Sequence, residues 1–148
     1  MSKPRQKFLC GVLISLNLAL IWGNSLLPAE SSSELSGWLQ AFLSFLPEGE
    51  FFHTLLRKAA HFSEFALLGL LMGWMSALIR GRPQIGILGL GLGAGCVDET
   101  IQLFVPGRAS SLLDVWIDFS GFTVGLTLLI FGYKFIRNKQ NHMEDIKL

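Results

Sequence analysis

The chain has 148 residues, 51% of them hydrophobic, and a net charge of +1 from twelve Lys and Arg against eleven Asp and Glu. That near-balance argues against a polyanionic partner, so no nucleic-acid binding is expected. The two cysteines, Cys10 and Cys96, lie in different apolar blocks. Neither a disulfide between them nor a cysteine metal site is expected.

The apolar residues are gathered in blocks of about 20, the length that crosses a bilayer as a helix. Four spans are read in chain order. The first covers about residues 8–27 and stops at Pro28. The second starts at residue 51 or 55, runs to 79 and stops at Arg80-Gly81-Arg82-Pro83. The third covers about 85–105 and stops at Pro106-Gly107. The fourth covers about 112–136 and stops at Arg137-Asn138-Lys139. Pro, Gly or a basic run punctuates each junction, and no strict alternation suggests barrel strands. The fold class is therefore all-α: a polytopic membrane protein with four transmembrane helices, as one domain over residues 1–148. The first block follows Lys3, Arg5 and Lys7, as a signal peptide would. However, Leu27-Pro28-Ala29 places a large Leu where a small residue is needed for cleavage.

Residues 29–50 open with Ser31-Ser32-Ser33-Glu34. Leu35, Trp38, Leu39, Phe42, Leu43 and Leu46 follow at helical spacing. This predicts an amphipathic segment between helices 1 and 2 at the outer interface. Simple packing on the bundle is favoured there over a lid.

Orientation follows from the basic residues. With the N-terminus inside, nine of them fall inside (Lys3, Arg5, Lys7, Arg80, Arg82, Lys134, Arg137, Lys139, Lys147) and three outside (Arg57, Lys58, Arg108). Both termini are then cytoplasmic. The acids show the reverse: all but Glu144 and Asp145 fall outside or in the outer half.

Ionisable groups inside hydrocarbon are costly and usually serve a site. At 100° per residue, Asp114, Asp118, Gly121 and Gly125 share one face of the fourth span. Gly91, Gly95, Asp98 and Gln102 share a face of the third, with Glu99 beside it. Lys58, Phe65, Gly69 and Gly73 line the second, with His61 adjacent and Glu64 further round. Small residues at four-residue spacing let membrane helices approach closely, so these faces are expected to meet. Glu64, Asp98 and Asp118 sit about 10 Å inside the outer ends of their spans. This predicts a polar cavity open to the outer face.

Simpler roles exist for several of these groups. Ser111 and Asp114 fit a capping box. Glu64 and His61 are spaced to bond each other, Arg57 and Lys58 to anchor in headgroups, and Arg108 to close a loop onto an acid. Asp98 and Asp118 are harder to dismiss, because they are deep among apolar neighbours.

Catalytic candidates are His61, Glu64, Asp98 and Asp118. Ligand-binding candidates are Lys58, His61, Gln102 and Arg108. Asp98, Glu99, Asp114 and Asp118 are candidate ligands for a divalent cation, the one cofactor the residues suggest. Helix N-termini and basic residues at the mouth suit a phosphate. A cation or general base below would suit phosphoryl chemistry. No nucleophile signature supports an enzyme, and Gly86 to Gly95 lies inside a span rather than in a phosphate loop.

These residues also form a recognisable pattern. Lys58-x-x-His61-x-x-Glu64-Phe65 with Leu67-Leu68-Gly69 is followed by Asp98-Glu99-x-x-Gln102-x-Phe104-Val105-Pro106-Gly107-Arg108 and Asp114-x-x-x-Asp118-x-x-Gly121. Together with Ser25-x-x-Pro28, this resembles the VanZ-like family over nearly the whole chain. Phe65 departs from it, since the family commonly has Tyr there. The resemblance implies a small bacterial inner-membrane protein, related to members associated with low-level teicoplanin resistance. It supplies no reaction.

Three functions compete at this stage. The first is binding of an anionic or lipidic envelope ligand, such as a lipid-linked cell-wall intermediate or a lipoglycopeptide. The second is a metal-assisted transferase or hydrolase acting on a phospholipid or polyprenyl phosphate. The third is a structural protein whose polar groups hold the helices in register.

Overall fold

The computed structural model describes residues 2–28, 50–108 and 110–145. The expected amphipathic segment at residues 29–50 lies outside them, apart from Glu50. Among the described residues the chain is helical. It contains α1 (Lys3–Ser25), α2 (Glu50–Arg80), a 3-10 turn (Ile85–Ile87), α3 (Leu88–Gln102) and α4 (Leu112–Asp145).

Three of these helices are long and apolar enough to cross a membrane: α1, the Thr54–Arg80 part of α2 and the Leu112–Gln140 part of α4. At about 1.5 Å per residue each exceeds the roughly 30 Å of bilayer hydrocarbon. α3 is shorter: its 15 residues reach about 22 Å. The third apolar block, read as one helix over 85–105, is thus divided. A 3-10 turn follows Pro83 and Gln84, and helical structure stops at Gln102, ahead of Pro106 and Gly107.

Other boundaries follow from local chemistry. α2 ends where Gly81 takes a positive φ of 76° and its N–H bonds the Ala77 carbonyl at 2.9 Å, a left-handed cap that a side chain would disfavour. The Ser111 hydroxyl accepts the Leu113 N–H at 3.2 Å and so caps the start of α4. α4 then continues past residue 136 as helix. Arg137-Asn138-Lys139 marks the end of the apolar stretch, but contains no Pro or Gly to stop the helix.

The helices run alternately up and down. The C-terminal ends of α1 and α3 and the N-terminal ends of α2 and α4 gather at one end of the bundle, where Ser25 bonds Asp98 and Lys58 bonds Asp114. At the opposite end the Tyr133 hydroxyl of α4 donates to the Gly81 carbonyl. Ile21, Phe65, Leu68, Phe122 and Leu126 form a buried apolar core between the two ends.

α2 and α4 pack most closely. A Cβ on Gly121 would run into the Phe62 carbonyl, and one on Gly125 into the Ala66 carbonyl. The expected glycine faces therefore do meet, backbone against backbone, as small residues permit in membranes. Large apolar side chains cover the outside, among them Leu16, Leu67, Leu90, Val97, Leu128 and Phe131. In water such a surface would be a liability, whereas hydrocarbon solvates it. Cys10 is buried, Cys96 is exposed, and both are free thiols.

Candidate functional site

Buried polar groups concentrate at the end where Ser25, Lys58, Gln102 and Asp114 lie. Asp98 is 0% and Asp118 1% exposed, and Glu99 and Gln102 are also buried. A carboxylate this deep is costly unless its oxygens are bonded or balanced by charge, so each partner matters.

Asp98 is held on both sides. Its Oδ1 accepts the Ser25 hydroxyl at 2.7 Å, and its Oδ2 accepts Gln102 Nε2 at 2.9 Å. Gln102 lies one turn along the same helix, so that bond is a direct product of i, i+4 spacing. Glu99 Oε2 accepts the Ser111 backbone N–H at 2.8 Å, tying the end of α3 to the start of α4. Glu64 Oε1 accepts from Asn24 at 2.7 Å. Asp114 pairs with Lys58 at 2.5 Å across the α2–α4 seam. Ser111 therefore carries the cap of α4, while Asp114 reaches another helix.

Arg108 donates to the Leu27 carbonyl at 3.1 Å and the Asn24 carbonyl at 2.9 Å, which cover the last carbonyls of α1. Burial lowers its pKa from the usual guanidinium value, and the nearby Arg57 adds to that. Arg108 stays a cation at any pH the protein meets.

Glu64 Oε2 is buried with no hydrogen-bond partner among the described residues, and so is Oδ2 of Asp118. Gly95 of α3 makes room for it: a Cβ there would sit 3.3 Å from the Asp118 Cβ. Facing Asp118 is His61 of α2. Its Nδ1 lies 4.0 Å from Asp118 Oδ1 and 3.7 Å from Asp98 Oδ2. These are too long for hydrogen bonds. One donor atom from each of His61, Asp98 and Asp118 lies within 4.8 Å of the others. Beside them is a cavity of about 20 Å³, lined by Arg57, Lys58, His61, Gln102, Asp114 and Asp118 among others. That is room for a water molecule or two.

The expected residues thus separate into groups. His61, Asp98 and Asp118 converge from three helices. Lys58 and Asp114 close the mouth on each other. Glu64 and Glu99 are engaged by Asn24 and the Ser111 backbone, and Arg108 braces α1. Phe65, in place of the Tyr common in the resembling family, is fully buried in the apolar core. Arg57 reads from sequence only as an outer headgroup anchor, and Asn24 is not singled out there. Asn24 reads there as an ordinary polar residue near a span end, and its pairing with Glu64, 40 residues away, has no local signature.

Long apolar helices with a buried cluster of imidazole and carboxyl groups at one end define a helical membrane protein. Within that class, the chain belongs to the VanZ/LLP1 family, whose profile matches residues 8–135. Comparison with curated proteins and with solved structures finds no match.

Proposed function

We propose that the polar end of the bundle faces the outside of a bacterial cytoplasmic membrane and binds the anionic group of an envelope lipid or lipid-linked intermediate. The observation that carries this reading is the convergence of His61, Asp98 and Asp118 below a mouth edged by Arg57 and Lys58. The cavity is too small for a headgroup. The headgroup would rest on the mouth, with one oxygen reaching toward the floor. The positive-inside bias supports that orientation, with both termini in the cytoplasm. In this reading residues 1–148 form one domain, and the 3-10 turn and α3 together make the fourth crossing. Their combined length of about 28 Å and the exposed Leu90 and Val97 support that. A link to lipoglycopeptide (teicoplanin) resistance rests on the family alone.

Native mass spectrometry of protein released from nanodiscs tests the binding. A phosphatidylglycerol or undecaprenyl-phosphate adduct is expected, weakened by Lys58→Ala and Arg57→Ala together. Equal retention of phosphatidylcholine would overturn it.

The enzyme reading draws support from the same His–Asp–Asp group. It predicts turnover of a phosphate ester that Asp118→Asn abolishes while the lipid adduct survives. The purely structural reading fits Asp98, whose oxygens are both bonded. It does not account for Asp118 Oδ2.

A further inference from the structure

We propose that His61 Nδ1, Asp98 and Asp118 are the protein ligands of one divalent transition-metal cation, Zn²⁺ in the first instance. The inference rests on reading this end of the bundle as a binding site, and names what that site contains.

The spacing is the first argument. Two ligands about 2.1 Å from a tetrahedral metal stand about 3.4 Å apart, and the separation widens toward about 4.2 Å for trans ligands. The observed 3.7 and 4.0 Å fall in that interval. They are too long for the groups to bond one another and too short for two anions and an imidazole to be indifferent neighbours. The second argument is the Asp118 carboxyl. Its Oδ2 is buried with no partner among the described residues, a state shared with Glu64 Oε2, on a residue 1% exposed, and its Oδ1 is the atom 4.0 Å from His61 Nδ1. Leaving a carboxylate oxygen so is costly unless something present in the working protein engages it.

The third argument is support. Metal-binding carboxylates are themselves oriented by hydrogen bonds. Ser25 and Gln102 do this for Asp98. The remaining acids near the site are each engaged elsewhere through one oxygen: Glu64 by Asn24, Glu99 by the Ser111 amide, Asp114 by Lys58. This leaves two carboxylates and one neutral imidazole, whose charge a divalent cation balances. The adjoining cavity of about 20 Å³ leaves a coordination position open for water or a phosphate oxygen. An imidazole with two carboxylates suits Zn²⁺ or Mn²⁺ and disfavours Mg²⁺ and Ca²⁺, which take oxygen donors. The set differs from the acids-only group expected from sequence: His61 enters, and Glu99 and Asp114 leave.

Metal analysis of the full chain, purified without chelator, tests the proposal. About one zinc per chain is expected. Asp118→Asn and His61→Ala should each weaken zinc binding by about 10-fold or more, while Glu99→Gln and Asp114→Asn keep it. Mn²⁺ titration followed by electron paramagnetic resonance should give one site, absent from Asp118→Asn. If Asp98→Asn does not fold, the other two variants still decide the matter. Sub-stoichiometric zinc, or zinc unchanged by Asp118→Asn and His61→Ala, would overturn the proposal. Phosphatidylglycerol adducts are measured on the same samples. Zinc without a lipid adduct sinks the ligand reading and keeps the cation. A lipid adduct without zinc does the opposite.

Discussion

At one end of the bundle, Asp98, Glu99 and Asp118 are buried, and three of the four helices contribute to the cluster around His61. At the other end, Arg80, Arg82, Lys134 and Arg137 stand exposed, the last three around a wide cavity of about 680 Å³. The basic end keeps its charges exposed, where they cost little. The acidic end buries its acids and bonds part of their oxygens: both of Asp98 and one each of Glu64, Glu99 and Asp114. On the proposed reading, the contrast separates charges that place the protein from charges that serve its site.

The most damaging change should be one that removes the frame for both ends. Gly125→Leu forces a side chain into the Ala66 carbonyl. Little monodisperse protein should be recovered by size-exclusion chromatography, and Gly121→Leu should behave alike. Recovery of normal folded yield would mean the α2–α4 seam is looser than described.

Asp118→Asn should separate function from stability. In chelator it removes a buried carboxylate beside other acids. The variant should then be more stable than the parent by about 1–2 kcal/mol, read as a higher melting temperature. A drop of that size would mean the carboxylate stabilises the bundle even without a cation. In the parent, acidification from about pH 7 to about pH 5 should release the metal, because protons compete for imidazole and carboxylates. Metal content held constant across that range would place the ion elsewhere.

Lys58→Ala should cost about 0.5–1 kcal/mol, since its pair with Asp114 is partly exposed. The smallest stability effect belongs to the basic end. Arg137→Ala should lie within about 0.5 kcal/mol of the parent. Its consequence is topological: reporter fusions at Asn141 should read as cytoplasmic in the parent, and that signal should weaken as Lys134, Arg137 and Lys139 are neutralised together. An extracytoplasmic signal from the parent would invert the two ends.

The spans were legible because hydrocarbon imposes a length and because Pro28, Pro83 and Pro106 interrupt it. Which faces meet was legible from glycine spacing: Gly121 and Gly125 lie on the Asp118 side of α4 and do contact α2. The break between the 3-10 turn and α3 was not, since hydropathy passes smoothly through residues 85–105. Individual pairings were least legible. Ser25 with Asp98 and Asn24 with Glu64 join residues 73 and 40 positions apart, and helical periodicity carries no information at that range. The proposed His–Asp–Asp ligand set departs from the acid-only one for the same reason. Glu99 and Asp114 look equivalent to Asp98 along the chain, and only the packed helices show that Ser111 and Lys58 have taken them.

α3 carries Gly89, Gly91, Gly93 and Gly95 within 15 residues, and Gly89 and Gly93 have nothing near them. In water each glycine would cost a helix about 1 kcal/mol relative to Ala. In hydrocarbon an open backbone cannot find water, so the helix persists regardless. In the proposed fourth crossing, the order of the segment bearing Asp98 is thus lent to it by its solvent. Amide exchange in α3 should become faster on moving from bilayer to detergent, well before α4 responds. Whatever binds at Asp98 should slow it again.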